Sequence, residues 1–364
     1  MIVGSGDAVR LESYAMSATP AGVRILFDRQ DQPEGCWDWF EILADTTLSE
    51  KESACVMALI DEGGVAVSAI PLVAVSGRMS RGLTSPFTTL FCAPLGSNQN
   101  AGTLGKLLAG KVGATLRLDA LDPADGAARA FQDGLAGGGL VVDRFRHFAN
   151  WFERIDNLAG YWNSRDSRLK STVKRKGAPL QRDGRLAFEM VDLAADWRRG
   201  VEIYEAIYAR SWKPAEPHPH FIAALLEKLG RRGTARLGVA MIDGAPAAAQ
   251  IWLVQQDRAT IFKLAHDPAF DRQSPGTLLT HWMLGLLHEQ DGVRQVDFGR
   301  GDDAYKRLWL ANCQGREGVL AANPRGLKGL LAVAVDILPS RVMKRLRPKA
   351  GGPAGSRQTG IGTA

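Results

Sequence analysis

Only four cysteines occur in 364 residues, Cys36, Cys55, Cys92 and Cys313, and no two of them form a Cys-x-x-Cys pair. That spacing gives no basis for a disulfide framework or a zinc ribbon, and a reduced, cytoplasmic setting is expected. Long apolar runs are missing as well: none approaches the roughly 18 residues that a membrane-spanning helix needs. The opening residues, Met1-Ile2-Val3-Gly4-Ser5-Gly6-Asp7, lack a basic stretch followed by an apolar one, so no export signal is expected. Histidine is scarce, and Pro217-His218-Pro219-His220 lies in a proline-rich loop rather than at metal-ligand spacing on a helix. No metal site is expected.

The chain does have ample apolar material, 45% of its residues, enough for one large core or two of ordinary size. Its positive charge is concentrated. Eight basic and two acidic residues fall between positions 165 and 185, and eight basic and one acidic between 325 and 357. Because the net charge is only +6, the remaining body is mildly acidic with two basic segments attached. The first of these has no interleaved aromatic ladder, which argues for a solvated helix over an interdomain cleft rather than a nucleic-acid surface.

Periodicity gives one order of elements twice. In the second half, residues 186–191 read as a strand, 197–211 and 219–229 as helices, and 236–242 with 247–254 as a hairpin about Gly244. A strand at 260–265, a helix at 277–290, a strand at 295–298, a helical turn at 303–310 and a last strand at 318–321 follow. In the first half, 23–27 reads as a strand, 37–44 as a helix, and 55–60 with 65–73 as a hairpin about Asp61-Glu62-Gly63-Gly64. After it come strand 84–91, helix 101–113, strand 115–118, helix 124–135 and strand 140–148. Two similar α/β domains are therefore expected, 1–157 and 158–323, joined near residues 158–177. Residues 324–347 form a basic amphipathic segment that Pro339 should interrupt, with packing on the domain or peripheral contact with anionic lipid as its two roles. The tail 348–364 has almost nothing to bury and is expected to be disordered.

The most informative stretch runs from 263 to 309. The loop Gln273-Ser274-Pro275-Gly276-Thr277 brings small residues to a helix start, where free backbone N–H groups and the positive end of the dipole can hold a pyrophosphate. The next strand ends in Asp297-Phe298-Gly299, and the following turn supplies Tyr305 and Lys306, a phenol and an ammonium suited to proton transfer and anion binding. This order suits an acyl-CoA site. His266 and Asp267 close the preceding strand and either could deprotonate an incoming amine or hydroxyl. Asp297, Asp302 and Asp303 are further candidates, with loop capping as the competing role for all of these acids. Leu278, Leu279, Trp282, Met283, Leu286 and Leu287 form a core-facing helix stripe. Trp212, Trp252 and Trp309 either pack or line an acceptor pocket.

These signals resemble the GNAT superfamily, and more closely the CelD/BcsL-like acetyltransferases associated with bacterial cellulose and exopolysaccharide genes, which are related to the FemAB peptidyltransferases. The resemblance is carried by the basic helix from Arg165 to Arg175, Gly244-Ala245-Pro246-Ala247-Ala248, Ser274-Pro275-Gly276-Thr277-Leu278-Leu279, and Asp297-Phe298-Gly299-Arg300-Gly301-Asp302 with Tyr305-Lys306. It implies a tandem GNAT fold whose first copy is degenerate. It also implies acetyl-CoA held by Gln273, Ser274, Pro275, Gly276, Thr277 and Leu278, and no metal. Tyr305, Lys306, Asp267, His266 and Asp302 become the catalytic candidates, and Arg168, Lys174, Trp212, Asp297 and Arg300 the substrate-binding ones. The pattern in such enzymes is Gln/Arg-x-x-Gly-x-Gly/Ala, and Leu278 replaces its last small residue. The implied acceptor is a sugar, sugar nucleotide or lipid-linked glycan precursor. The alternatives are an aminoacyl-tRNA-dependent peptidyltransferase and a non-catalytic scaffold of a polysaccharide synthase.

Overall fold

The computed structural model describes residues 9–346. The first half supplies β1 (Arg10–Ala15), β2 (Glu52–Ile60), β3 (Ala66–Val75), β4 (Arg78–Gly82), the short β5 (Leu95–Gly96), β6 (Val112–Leu121) and β7 (Val141–Arg154). Its helices are α1 (Ala21–Asp28), α2 (Trp37–Thr46), α3 (Asn98–Leu108) and α4 (Gly126–Gly137). A helical connection follows, α5 (Leu158–Ser164), α6 (Ser167–Thr172), a π turn (Val173–Gly177) and α7 (Ala178–Arg182). The second half supplies β8 (Leu186–Val191), β9 (Ala235–Ile242), β10 (Ala245–Gln255), β11 (Arg258–His266), β12 (Gln295–Arg300) and β13 (Asn312–Ala322). With them come α8 (Leu193–Arg210), α9 (Phe221–Leu225), α10 (Pro275–Gln290) and α11 (Lys306–Trp309), and then α12 (Leu327–Ala332) and α13 (Leu338–Leu346).

All strands join one sheet in the order β1-β2-β3-β4-β6-β13-β7-β12-β11-β10-β9-β8, with β5 paired to β3. Two neighbouring pairs run parallel, β4 with β6 and β11 with β12. The order is a palindrome of the two halves except at its centre. There β7, the last strand of the first half, pairs with β12, and β13, the last strand of the second, pairs with β6. The two exchanged strands also pair antiparallel with each other from Asn312↔Phe152 to Ala322↔Val141.

Three local expectations need correction. Residues 23–27 are not a strand but lie in α1, where Val23 and Phe27 are buried one turn apart. The run Val-Arg-Ile-Leu-Phe looks strand-like in composition, yet its two deeply buried side chains have helical spacing. Residues 84–91 are a loop, and the strand of that region is β4. Loop formation here is set by a distant acid: Glu34, 5% exposed, accepts from the Thr89 N–H at 2.7 Å and the Leu90 N–H at 3.1 Å, and from the Thr89 hydroxyl. Those donors would otherwise sit in a strand ladder. Finally, Pro339 does not end the C-terminal helix. The π turn Val333–Ile337 precedes it, and the Leu338 N–H reaches back five residues to the Val333 carbonyl, widening the turn where the proline ring must fit.

Burial raises the Glu34 carboxyl from its ordinary 4.5 to about 7, against hydrogen bonds from Thr89 that lower it. A carboxyl whose folded value exceeds its unfolded one holds its proton more tightly when folded. The native state therefore loses stability as pH climbs from about 4.5 through about 7, by about 3 kcal/mol in all. Glu34→Gln removes that dependence but forfeits one acceptor. Urea unfolding at pH 5 should find the variant less stable than the parent, with the gap shrinking by about 3 kcal/mol at pH 8. A gap that does not change with pH would show Glu34 already ionised at pH 5.

Candidate active site

The second half opens where β11 and β12 part. They exchange backbone pairs only between residues 258–260 and 295–297. Beyond that point each strand is bent away. In β11 a bulge at Phe262 shifts the register between Ile251↔Lys263 and Trp252↔Ile261, and in β12 the register with β7 breaks between Asp297 and Arg300, with Gly299 at φ +62°. Bulges raise local twist and bend the strand that carries them. The result is a wedge whose two walls no longer pair with each other. The corresponding gap in the first half is filled by its own chain: Phe91, 1% exposed, donates its N–H to the Ala120 carbonyl at 2.9 Å, and its ring would lie 3.0 Å from a Cβ on Gly82.

On one side of the wedge a pocket of about 380 Å³ runs along the start of α10, lined by Gly276, Thr277, Thr280, His266, Arg168 and Leu308. On the other lies a pocket of about 430 Å³ containing Lys213, Lys263, Phe87, Asp303, Arg300 and Lys306. Trp212, Leu264 and Tyr305 border both, so the two chambers meet at Tyr305. Its hydroxyl has no hydrogen-bond partner among the described residues, and burial, with Asp303 adding to it, pushes its pKa upward. The phenol stays protonated at neutral pH. Phe298 flanks its ring with centroids 6.3 Å apart.

The start of α10 is tied to β10 through Gln250, a residue that sequence reasoning passed over. Its amide donates to the Gly276 carbonyl at 3.1 Å and to the Thr280 hydroxyl at 2.7 Å, while its oxygen accepts from the Trp252 indole at 2.9 Å. A lone glutamine in an apolar strand was the available signal, since a buried amide needs partners. Ser274 adopts φ +56° and Pro275 opens the helix, which leaves the first-turn N–H groups of Gly276 and Thr277 facing outward. A Cβ on Gly276 would meet only His266, at 3.8 Å, so that position borders open space. Leu278 points the other way and is buried, its side chain 3.1 Å from where a Cβ on Gly177 of the π turn would lie. It adds no bulk to the pocket. Gln273 does not line either chamber, and its amide oxygen is buried without a partner.

Several expected site acids serve the frame. Asp297 accepts from Asn150 at 2.7 Å and from the Gly299 N–H at 2.6 Å, fixing β12 to β7. Asp302 accepts from the Trp151 indole at 2.9 Å and pairs with Arg307 at 2.8 Å, outside both chambers. Asp267 caps the turn Pro268–Gln273 through the Ala269 N–H and pairs with Arg210 at 2.6 Å. Those contacts, the Ala269 N–H foremost, hold its pKa below the usual carboxylate range. None of the three presents a free carboxylate to the wedge. His266 does border the first chamber, with Nε2 on Asp271 at 2.8 Å and its ring 4.5 Å from Trp212.

Lys306 is also spoken for. Buried to 2% exposure, its ammonium donates to the Arg300 carbonyl at 2.7 Å and to the Gly299 and Gly301 carbonyls at 3.4 Å, and lies 3.5 Å from Asp303. It is a strap across the turn that presents Tyr305, not a free anion hook. Arg168 borders the first chamber, Arg300 the second, and Trp212 stands 60% exposed between them, whereas Lys174 faces solvent away from both. Trp252 is core and Trp309 is 3% exposed at the pocket edge.

The second chamber holds groups the sequence did not single out. Lys263 pairs with both Glu216 oxygens at 2.8 and 2.7 Å and lies over the Phe87 ring at 4.0 Å. Lys213 donates to the Leu264 carbonyl at 2.5 Å, and burial, reinforced by the neighbouring Lys263, lowers its pKa to about 8. A lysine poised there can shed its proton near neutral pH. Among the described residues no group of three or more histidines, cysteines and acids is arranged to hold a metal.

Residues 167–307 match the model of the acetyltransferase (GNAT) domain. That stretch spans the wedge, α10 and Tyr305, and it is similar to a GNAT-type acyltransferase domain. Among solved structures, FemX superposes with a TM-score of 0.60 at 11% identity, covering 89% of this chain and 99% of that one. The C-terminal domain of a protein described as a lysylphosphatidylglycerol synthetase from Agrobacterium fabrum gives 0.53 at 15%, covering 86% and 94%. At such identities these likenesses establish the fold, a mixed α/β GNAT fold. No curated protein matches the chain.

Proposed function

We propose that the protein transfers an acyl group, most simply acetyl from acetyl-CoA, directly to an amine or hydroxyl of a sugar or other exopolysaccharide or cell-envelope precursor. The observation that carries this reading is the free Tyr305 phenol where a helix-capped chamber meets a lysine-lined one. The donor's pyrophosphate rests on the first turn of α10 and its pantetheine arm follows the unpaired wall of the wedge. The acceptor enters beside Lys213 and Asp303. Its nitrogen or oxygen bonds to the acyl carbon as the carbon–sulfur bond breaks, Tyr305 gives its proton to the departing thiolate, and neutral Lys213 takes the acceptor's proton. Much of the rate comes from holding both substrates in line.

Calorimetric titration with acetyl-CoA tests the donor site. Micromolar binding is expected, weakened about 100-fold in Gly276→Trp, roughly 3 kcal/mol, because the indole fills the space before the helix start. No binding of any CoA species would remove this reading. It would leave an aminoacyl-tRNA donor, which the basic edge of α6 and the following π turn would contact and which salt would weaken steeply.

The C-terminal helix fits work at an anionic lipid surface. Leu327, Leu331, Val335, Leu338 and Val342 are each at least 50% exposed and repeat every three or four residues along one face, while Ile337 is buried on the opposite one. Eight basic residues against one acidic between positions 325 and 357 complement anionic headgroups. Among the described residues no helix is long and apolar enough to cross a membrane. Co-sedimentation with phosphatidylglycerol vesicles, absent with phosphatidylcholine ones and lost in Leu331→Glu/Val335→Glu, is the expected result.

A further inference from the structure

A second cleft of about 430 Å³ lies across the ridge formed by Pro86 and Arg300, which border both it and the Lys213 chamber. It is polar and cationic. Arg81, Arg117 and Arg300 line it with His147 and His218, against one carboxylate, Asp119. Arg81 is paired with Glu52 at 2.9 Å and Arg117 with Asp119 at 2.8 Å. Arg300 has no carboxylate within ion-pair distance among the described residues. It donates to the Pro86 carbonyl at 3.3 Å and lies over the Phe148 ring at 4.5 Å.

One contact in this cleft, between Arg300 and His147, has a character set by which ring nitrogen carries the hydrogen. The Ala120 N–H donates to His147 Nδ1 at 3.1 Å, so a neutral His147 carries its hydrogen on Nε2, and a charged one carries hydrogens on both nitrogens. In either state Nε2 is a donor, yet it faces an Arg300 guanidinium nitrogen 3.1 Å away, which is a donor too. Two donors that close and converging call for a shared acceptor. Ala120, where the register of β6 with β13 shifts, has φ +60°, a conformation that costs an alanine about 1–2 kcal/mol. Burial lowers the His147 pKa, with Arg300 and Arg117 adding to it against the opposing Asp119 carboxylate, 3.7 Å from Nδ1.

We propose that this cleft binds a phosphate or diphosphate group of the acceptor, seated between Arg300 and His147 with Arg117 and Arg81 at its edge. The identification of the ligand as acceptor rests on the acyltransferase reading above. A tetrahedral, multiply charged oxyanion satisfies donors arriving from several directions, and the shared ridge lets the rest of the molecule reach Tyr305. The acceptor is then a sugar nucleotide or a phosphorylated glycan rather than a neutral sugar.

The test is calorimetric titration of the full-length protein with inorganic pyrophosphate, uridine diphosphate and glucuronate, the last a carboxylate control. Pyrophosphate and uridine diphosphate should bind, glucuronate at least tenfold more weakly. Arg300→Gln and the solvent-facing Arg117→Gln should each weaken the diphosphates tenfold or more while leaving acetyl-CoA affinity within twofold, which also certifies folding. Diphosphate binding that is displaced by acetyl-CoA and indifferent to both substitutions would place the anion at α10 and overturn the proposal. So would preferential binding of glucuronate. If acetyl-CoA fails to bind while diphosphates bind in an Arg300-dependent manner, the donor assignment falls and the anion cleft stands.

Discussion

Tyr305→Phe is expected to lower acyl transfer by roughly 100-fold or more while leaving acetyl-CoA affinity unchanged. The phenol makes no hydrogen bond among the described residues, so phenylalanine keeps the ring contact with Phe298 and removes only the proton. A purely structural tyrosine would give the opposite pattern, a change in unfolding temperature with rate preserved. The pH profile separates the two proton carriers. Lys213 loses its proton near pH 8, so kcat/KM should rise as pH increases through about 8 and level off above it. Lys213→Met should abolish that rising limb. Tyr305→Phe should depress the whole curve without moving it, because the phenol remains protonated across this range. A Tyr305→Phe enzyme with full activity would assign leaving-group protonation to water or another residue.

Lys306→Met should be the most damaging single change to the site's framework. The methylene stem is replaced in kind, but three backbone carbonyls at Gly299, Arg300 and Gly301 lose the ammonium that they share. Buried acceptors left unpaired cost about 1–3 kcal/mol each when water cannot reach them, and partial hydration of the turn brings the expected loss to about 3 kcal/mol. Thermal unfolding should fall by several degrees, with activity lost because the turn that places Tyr305 is released. Lys306→Arg should recover less than half of the stability, since a planar guanidinium cannot aim at three carbonyls arranged around one point. If Lys306→Met unfolds like the parent and instead raises only the acceptor KM, the ammonium meets substrate and the strap assignment is wrong.

The elements that build the wedge were legible because their signals are local. The Asp-Gly turn at 243–244, the apolar strands on either side and the stripe Leu279, Met283 and Leu287 on α10 each follow from period and turn chemistry. Tyr305 could be picked out for its place after a strand end. What could not be read was which polar groups are already satisfied. Asp297, Asp302 and Lys306 carry the same chemistry as groups left free to meet a substrate, and only their partners, Asn150, Trp151 and the backbone turn, show that they are engaged. Lys213 and Gln250 were missed for the converse reason: their character comes from burial beside Lys263 and beneath α10, contacts set by the fold. In the first half the loop that replaces strand 84–91 depends on Glu34, more than fifty residues away in sequence, which no window of periodicity can detect.

The exchanged central strands leave β7 without its neighbours until the second half of the chain has been made. When β7 emerges, the strands that will flank it, β12 and β13, have not been made; Asn150 must wait for Asp297, 147 residues later. Until then β7, fourteen residues long with both edges open, is a nascent strand looking for any partner, and such edges are where chains associate wrongly. Its own sequence answers the hazard. Val141-Val142-Asp143-Arg144-Phe145-Arg146-His147-Phe148 sets charged or polar residues between its hydrophobic ones, which keeps the waiting strand from stacking with its copies on neighbouring chains.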